Sequence, residues 1–252
     1  MGIHARTRTR TPAARAATAA ALVAAVAWPL LSTASAQAAG IWDGDASKGT
    51  NVFGSVECPT PGSLITAASG TPHGTVFRYT KPGGDIRCES RGVSVNGSSR
   101  YAFAAGSTYY LGWESQLSSV SGDFVVWQWK SYPNAQQNYP LIMTIKDGSA
   151  RLFHVTTGGD WQMLWSEPVT AGDWNAFAVG IRTSGTASSG WVELYFNGTK
   201  QTLADGSTRY ACRTWDSANE PKWGVYDRDD GSTTLINRVD SLKMGTSYAD
   251  VT

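Results

Sequence analysis

The amino-acid sequence predicts an all-β protein made of two packed antiparallel sheets. Gly, Trp and Tyr are abundant, at 27, 11 and 10 residues, whereas charged residues are only 16% of the chain. Such a composition is typical of short strands joined by tight turns. Outside the N-terminus no window has the 3.6-residue period of an amphipathic helix. About a dozen β-rich runs in one chain need two sheets that bury a common core.

The first 38 residues predict a cleavable signal peptide. Four arginines precede residue 16, residues 16–31 are apolar, and small residues alternate around Ala36 and Ala38. This order of a basic, an apolar and a small-residue region is typical of a Sec-type leader. The apolar run is short and contains Pro29, which argues against a membrane anchor. We therefore expect a secreted protein with a single domain over residues 39–252.

The net charge of the mature chain limits the classes of partner that it is expected to bind. Loss of the four leader arginines leaves 17 basic side chains against 20 acidic ones, with no basic run. Nucleic acid is therefore not an expected partner. Cationic groups that bind an anionic ligand must be concentrated in one site. We expect a monomer that has no membrane partner after the leader is removed.

Three cysteines, Cys58, Cys88 and Cys212, lie in the mature chain. Export favours one disulfide and leaves one thiol over, and the sequence does not say which two cysteines pair.

The β-rich runs follow one another along the chain, over residues 75–79, 109–115, 124–130, 141–146, 150–156, 175–182, 191–196 and 199–203. Asn197-Gly198 separates the last two and predicts a hairpin with a type I′ turn, because both residues tolerate positive φ. In residues 191–196, Val192, Leu194 and Phe196 are predicted to share one face. The many Trp and Tyr residues also suit a sugar-binding sheet surface, since aromatic rings stack on pyranose rings.

Trp127-Gln128-Trp129-Lys130 is the first of four candidate site motifs. Strand alternation places Gln128 and Lys130 on one face and the two tryptophans on the other. An amide beside an ammonium can hold a carboxylate. The alternative interpretation is a solvated outer face above a tryptophan core layer.

Lys222-Trp223-Gly224-Val225-Tyr226 is the second motif, and it places Lys222, Gly224 and Tyr226 on one face. Gly224 leaves a gap that permits close approach of a ligand. A tyrosine near cations can donate or accept a proton. An ordinary amphipathic strand is the alternative.

Arg87-Cys88-Glu89-Ser90-Arg91 is the third motif. Arg87, Glu89 and Arg91 alternate onto one face, where an arginine can clamp a carboxylate with two hydrogen bonds. The alternative is a structural ion-pair ladder, favoured for Glu89 and Arg91.

His73 lies between Pro72 and Gly74 at the edge of a strand, where a histidine can act as a base near neutral pH. The alternative is an ordinary surface histidine. His154 is predicted to be a strand residue with no special role.

Two signatures of other secreted hydrolases are absent from the sequence. There is no Gly-x-Ser-x-Gly motif, which excludes an esterase nucleophile elbow. No strand carries the close carboxylate pair of a retaining glycosidase, which disfavours a glycoside hydrolase.

The order of these motifs resembles the polysaccharide lyases of concanavalin A-like jelly-roll fold, which include the glucuronan lyases and, more distantly, heparin lyase I. Arg87-x-Glu89, Gln128-x-Lys130, Asp173-Trp174, the Asn197-Gly198 hairpin and Lys222-x-Gly224-x-Tyr226 carry the resemblance, which spans roughly residues 70–245. It implies a β-jelly roll with a groove across one sheet. It also implies β-elimination of a uronate, in which the C5 proton is removed and the C4–O bond breaks.

The resemblance also implies site residues. Gln128 matches the glutamine that neutralises the uronate carboxylate, and Tyr226 matches the proton donor, which is also a candidate base. Arg87, Lys130, Lys222 and the aromatic Trp113 are the expected substrate-binding residues.

Heparin lyase I has its histidine base at the position of Lys130, so the lysine here argues against heparin and for a glucuronan-like substrate. In the glucuronan-type group a histidine from an earlier strand contributes, and His73 is then the expected base. Lys130 is the alternative base, provided that neighbouring cations lower its pKa considerably.

No cofactor is expected for catalysis. The resemblance implies a structural calcium ion, with Asp43, Asp45 and Asp240 as candidate ligands.

The main alternative function is a secreted, lectin-like carbohydrate-binding module without catalysis. A fold rich in aromatic residues suits both functions equally. The lectin alternative gains if His73 and Tyr226 do not converge near Gln128. A structural cell-surface protein is a further alternative.

Overall fold

The computed structural model describes residues 1–2, 40–60, 62–69, 72–95, 97, 99–132, 134–228 and 231–252. The chain divides into two units, residues 1–36 and 37–252, and everything described from Gly40 onward lies in the second. The signal peptide predicted for residues 1–38 lies outside the described residues, apart from Met1 and Gly2.

Seventeen strands and three 3₁₀ turns make up the regular structure of the described residues. The 3₁₀ turns are Ala46–Lys48, Thr50–Val52 and Tyr248–Asp250. The strands are β1 (Trp42–Asp43), β2 (Phe53–Glu57), β3 (Leu64–Ala68), β4 (Thr75–Lys81), β5 (Arg87–Val95), β6 (Ser99–Arg100), β7 (Thr108–Leu117), β8 (Asp123–Ser131), β9 (Leu141–Lys146), β10 (Ser149–Val155), β11 (Trp161–Pro168), β12 (Trp174–Arg182), β13 (Trp191–Phe196), β14 (Thr199–Lys200), β15 (Tyr210–Ala211), β16 (Asn219–Tyr226) and β17 (Leu235–Gly245).

The strands form two antiparallel sheets, which confirms the predicted all-β jelly-roll sandwich. The nine-stranded sheet has the order β14-β13-β12-β7-β17-β4-β3, with β1 on β17 and β15 on β13. The eight-stranded sheet has the order β11-β10-β9-β8-β16-β5-β2, with β6 on β5. Strands that are distant in sequence are therefore neighbours: β8 and β5 flank β16.

Aromatic side chains fill the core between the sheets, as strand alternation predicts. Trp127, Trp129 and Trp223 are all fully buried and belong to one core cluster that takes residues from both sheets. Burying an aromatic side chain of this size removes a large apolar area from water, so these tryptophans stabilise the sandwich strongly.

The Asn197-Gly198 hairpin between β13 and β14 is confirmed, with φ of 47° and 78° at its two turn residues. Val192 and Leu194 face the core, as predicted from the alternation of β13.

Cys58 and Cys88 form the disulfide, and Cys212 is a buried free thiol. The predicted single bridge is thus present, and it links the chain just beyond β2 to the start of β5.

Among the described residues, no helix is long and apolar enough to cross a lipid bilayer.

Candidate active site

A cleft of about 600 Å³ lies on the outer face of the eight-stranded sheet. Its walls come from neighbouring strands and from the segment that follows β8. Residues that line it include Glu57, Arg87, Gln128, Lys130, Lys222 and Tyr226. The structure therefore gathers three of the four predicted site motifs into one cleft.

Strand register explains why these motifs meet. Lys222 on β16 lies opposite Gln128 on β8 and opposite Arg91 on β5. Tyr226 lies opposite Arg87 in the same ladder. Residues that alternate along one strand share its face, so three registered strands present a continuous polar surface.

Gly224 is needed for strand packing. Its φ is 143°, and a Cβ there would overlap the carbonyl oxygen of Cys88 and lie 2.7 Å from the Cα of Glu89. The gap predicted at Gly224 is therefore occupied by the backbone of β5, which approaches β16 closely at this point.

A buried ion-pair network forms the floor of the cleft. The Lys222 ammonium donates to Glu89 Oε2 at 2.6 Å and to Glu57 Oε2 at 2.8 Å. Gln128 Nε2 donates to Glu89 Oε1 at 2.6 Å. Glu57 and Glu89 are directly opposed on β2 and β5, so Lys222 neutralises two carboxylates that would otherwise repel. The network holds the Gln128 amide in one orientation.

The two carboxylates of the floor respond differently to their surroundings. Burial raises the pKa of Glu89, and this effect outweighs the attraction of Lys222 and Arg87. Glu57 is only partly buried. Burial opposes its ionisation, but the pKa of Glu57 is lowered because Lys222 donates a hydrogen bond to it and because Lys222, Arg91 and Arg87 place positive charge beside it.

Lys130 lies at the wall of the cleft with a depressed pKa. Partial burial and the positive charges of Lys222 and Arg91 lower the pKa of Lys130 to about 8. Its ammonium donates to Asn138 Oδ1 and to the Ser131 carbonyl oxygen. The nitrogen also lies 4.9 Å from the centroid of the Tyr132 ring. The pKa of Lys130 is thus depressed, as a lysine base requires, but burial contributes more to this shift than the neighbouring cations on which the prediction depended.

Arg87 and Tyr226 form a second pair in the cleft. The guanidinium carbon of Arg87 lies 4.4 Å from the centroid of the Tyr226 ring. The same guanidinium lies 3.7 Å from both Glu57 and Glu89. Arg87 is about one-third exposed, so its charge is available to an anionic ligand.

His73 is not in the cleft, which corrects its prediction as the catalytic base. It lies on the outer face of the nine-stranded sheet, where Nδ1 is 3.0 Å from Asp240 Oδ2 and 3.1 Å from Glu114 Oε2. The core separates this face from Gln128 and Tyr226. The sequence could not assign the β3–β4 loop to a sheet face.

Two further predictions need correction. Trp113 is 3% exposed and stacks in the core against Trp127 and Phe177, so it cannot stack on a substrate. Asp43 and Asp45 do not join Asp240 as a ligand group: Asp43 pairs with Lys48, and Asp45 caps the 3₁₀ turn at Ser47. A structural calcium ion stays a prediction.

The sequence analysis missed an aromatic ridge at one end of the cleft. Trp161 on β11 is 46% exposed and has its ring centroid 5.6 Å from Tyr139 and 5.4 Å from Phe153. It also missed Tyr132 and Asn138, which lie in the segment after β8. These residues belong to no recognisable motif. The one signal that could have indicated them is the occurrence of Trp and Tyr in segments at the edge of a predicted sheet.

Chemically, the cleft combines an oriented amide, a guanidinium, a lysine with a depressed pKa and a phenol. These groups can neutralise a carboxylate, accept a proton and donate a proton.

A family profile described as polysaccharide lyase matches residues 65–241. No curated protein matches the sequence.

Three solved structures illustrate the similarity in fold, and each is distant in sequence. The endo-β-1,4-glucuronan lyase of Trichoderma reesei has a TM-score of 0.63 and 17% identity, over 83% of this chain and 95% of that one. The alginate lyase of Aplysia kurodai has a TM-score of 0.57 and 10% identity, over 83% of this chain and 100% of that one. The alginate lyase from Corynebacterium sp. has a TM-score of 0.54 and 14% identity, over 75% and 82%.

Proposed function

The chain belongs to the polysaccharide lyase family, and we propose that its cleft binds a uronate-containing polysaccharide and cleaves it by β-elimination. One observation carries the proposal: Gln128, Lys130 and Tyr226 lie on one sheet face, inside one cleft, with the charge of Arg87 beside them. Membership of the family disfavours the lectin-like alternative, and Lys130 takes over the role that His73 cannot fill.

The first step is neutralisation of the substrate carboxylate. One amide N–H of Gln128 is held by Glu89, and the amide has a second N–H that can donate to the substrate. Arg87 adds a positive charge from the neighbouring strand. Both interactions strengthen as negative charge moves from C5 onto the carboxylate, so they stabilise the enolate-like transition state more than the ground state.

The second step is proton transfer. The neutral amine of Lys130 accepts the C5 proton, and the electron pair of the C5–H bond is delocalised onto the carboxylate as an enolate. That pair then forms the C4–C5 double bond as the C4–O bond breaks, and the leaving oxygen takes the phenolic proton of Tyr226. The products are a 4,5-unsaturated uronate and a new reducing end, and no water is consumed.

We propose a glucuronan-like polymer as the substrate. The T. reesei glucuronan lyase supports this choice, since its fold is matched over nearly its whole length. Alginate is the competing polymer, because many of the similar structures, including those from Corynebacterium sp. and Aplysia kurodai, are alginate lyases. Secretion is part of the same proposal: the leader motif, the external location of such polymers and the Cys58–Cys88 disulfide all support it.

The test follows ultraviolet absorbance of the 4,5-unsaturated uronate during incubation of the protein with glucuronan, alginate, heparin and pectate. We expect absorbance to rise fastest with glucuronan and Tyr226→Phe to abolish the rise. Tyr248→Phe is the matched control, since Tyr248 is not among the residues that line the cleft and its hydroxyl donates to the Gly198 carbonyl. A faster rise with alginate would overturn the substrate and keep the reaction. No rise with any of the four polymers would overturn the β-elimination proposal.

A further inference from the structure

A buried carboxylate, Asp216, lies behind the wall of the cleft. Its side chain is 1% exposed, and it is not among the residues that line the cleft. Its oxygens accept hydrogen bonds from the Ser131 hydroxyl at 2.7 Å and from the backbone N–H groups of Ala135 and Gln136 at 2.7 and 3.1 Å. Hydrogen bonds to a buried carboxylate are strong, so Asp216 fixes the course of the chain that follows β8.

Arg213 holds the same stretch of chain from a second side. Its guanidinium donates to the side-chain oxygens of Gln136 and Gln137 at 3.0 and 3.1 Å, and to Asp216 at 3.3 Å. Gln137 is itself only 2% exposed. Residues 134–140, which we call the wall segment, are therefore fixed by buried polar contacts although they belong to no strand.

The wall segment covers Lys130. Asn138 Oδ1 accepts a hydrogen bond from the Lys130 ammonium, and the Asn138 carbonyl oxygen accepts one from the Ser131 N–H at 2.7 Å. The neighbouring Tyr132, whose ring centroid is 4.9 Å from the Lys130 nitrogen, is held by its own N–H on the Ala218 carbonyl oxygen at 2.7 Å. Burial is the largest cause of the depressed pKa of Lys130. The segment that excludes water from the amine therefore helps to keep it neutral.

The wall segment contributes burial but no charge, because residues 134–140 contain no charged side chain. The charged and titratable groups that face Lys130 come from elsewhere, namely Glu57 on β2, Arg87 and Arg91 on β5, Glu220 and Lys222 on β16, and Tyr132. On the β9 side, Ile142 and Thr144 line the cleft and are uncharged. Displacement of the segment would thus admit water to Lys130 without moving these charges. Water stabilises the ammonium and replaces Asn138 as its acceptor, so the pKa of Lys130 would rise.

We propose that Asp216 is a positioning residue that holds the wall segment over Lys130 and so excludes water from the catalytic amine. The inference rests on the proposed function, in which Lys130 is the base. Burial opposes ionisation of Asp216, but the hydrogen bonds from Ser131, Gln136 and Ala135 lower its pKa to about 2. Asp216 therefore stays ionised at every pH at which the lyase would be assayed.

The variant Asp216→Asn tests the proposal, because it keeps the size of the side chain but replaces one acceptor oxygen by a donor NH₂ group. We expect the rising limb of the pH–rate profile to move up by about one pH unit. The rate at pH 7 should then fall about tenfold, whereas the rate at pH 10 should stay within about threefold of wild type. Arg213→Gln should move the limb in the same direction by less.

Asp250→Asn is the matched control. Asp250 is also buried and accepts hydrogen bonds from two backbone N–H groups, those of Thr246 and Ser247, at 2.8 Å each. It lies in the 3₁₀ turn that follows β17, a strand of the other sheet. We expect this variant to lose stability as Asp216→Asn does, but to leave the rising limb in place. A role of Asp216 in stability alone would leave the limb in place in both variants.

A second readout needs no turnover. The carbon-13 shift of the Lys130 Cε, assigned by its loss in Lys130→Arg, is followed against pH in protein with labelled lysine. The Lys130 titration should move to higher pH in Asp216→Asn and Arg213→Gln, and not in Asp250→Asn. Near-ultraviolet circular dichroism identifies the folded variants, and Arg213→Gln carries the test if Asp216→Asn does not fold.

The two readouts separate failure of this inference from failure of the proposed function. A wild type that cleaves none of the polymers would overturn the proposed function, and the Lys130 titration would still test Asp216. A Lys130 titration that moves while the limb stays in place would support the positioning by Asp216 and overturn the role of Lys130 as base. A Lys130 titration that is the same in wild type and Asp216→Asn, or that moves as far in Asp250→Asn, would overturn the inference.

Discussion

Replacing Lys130 by arginine separates a proton-accepting role from a charge role. Arginine keeps the positive charge at the cleft wall but does not lose its proton at accessible pH. If Lys130 is the base, Lys130→Arg should lower kcat/KM by about 10²- to 10⁴-fold. If Lys130 only binds the substrate carboxylate, most activity should survive.

The pKa of Lys130 sets the pH profile that the wild type should show. The neutral amine is the active form, so activity should rise with pH and level off above a pKa of about 8. At pH 7 about one lysine in ten is then neutral, whereas an ordinary pKa of 10.5 would leave about one in three thousand. The depressed pKa thus supplies about 300-fold more reactive base at neutral pH.

The assay is the initial rate of unsaturated uronate formation from pH 6 to 10. Arg91 is one of the charges that lower the pKa of Lys130, so Arg91→Gln should move the rising limb to higher pH. Small primary amines should partly restore activity to Lys130→Ala, and Lys48→Arg, an exposed lysine paired with Asp43, is the control.

Two results would refute the reasoning. One is a Lys130→Arg variant that keeps its activity within about tenfold of wild type. The other is a rising limb near pH 8 that persists in that variant, because the limb would then belong to another group. Either result would leave Tyr226 as the base.

Three other outcomes follow from the structure. Glu89→Gln removes one of the two carboxylate partners of the buried Lys222 ammonium, and urea unfolding should show a loss of about 1.5–3 kcal/mol. Trp161→Ala should raise KM for long polymers about tenfold with little change in kcat, because an exposed stacking platform contributes uniform binding; initial rates against polymer concentration measure this. Replacing both Cys58 and Cys88 by serine opens a bridge between residues 30 apart, and should cost about 3–4 kcal/mol of unfolding free energy in the same urea titration.

The candidate site could be predicted from the sequence where it depends on alternation within one strand. Gln128 and Lys130 share a face, and so do Lys222 and Tyr226, because successive residues of any strand point to opposite sides. The resemblance then indicated that these faces belong to one groove, and the cleft contains all four residues.

The alternation of apolar and polar residues did not predict the buried face of a strand whose two faces carry similar residues. Residues 109–113 of β7 read Tyr-Tyr-Leu-Gly-Trp, so neither face is clearly apolar. Trp113 lies on the core side because Trp127 and Phe177 pack against it there.

What the sequence by itself determined is therefore the sandwich, its hairpin turn and the face of each strongly alternating strand, since these follow from interactions between near neighbours. What only the tertiary structure decided is which strands are adjacent. The position of β16 between β5 and β8 places Lys222 against Glu89 and Glu57. The position of β17 between β7 and β4 places Asp240 beside Glu114 and brings His73, from the β3–β4 loop, to both of them instead of to the cleft. The contacts Lys222–Glu57, Lys222–Glu89 and His73–Asp240 join residues more than a hundred positions apart, and no local pattern records such pairings.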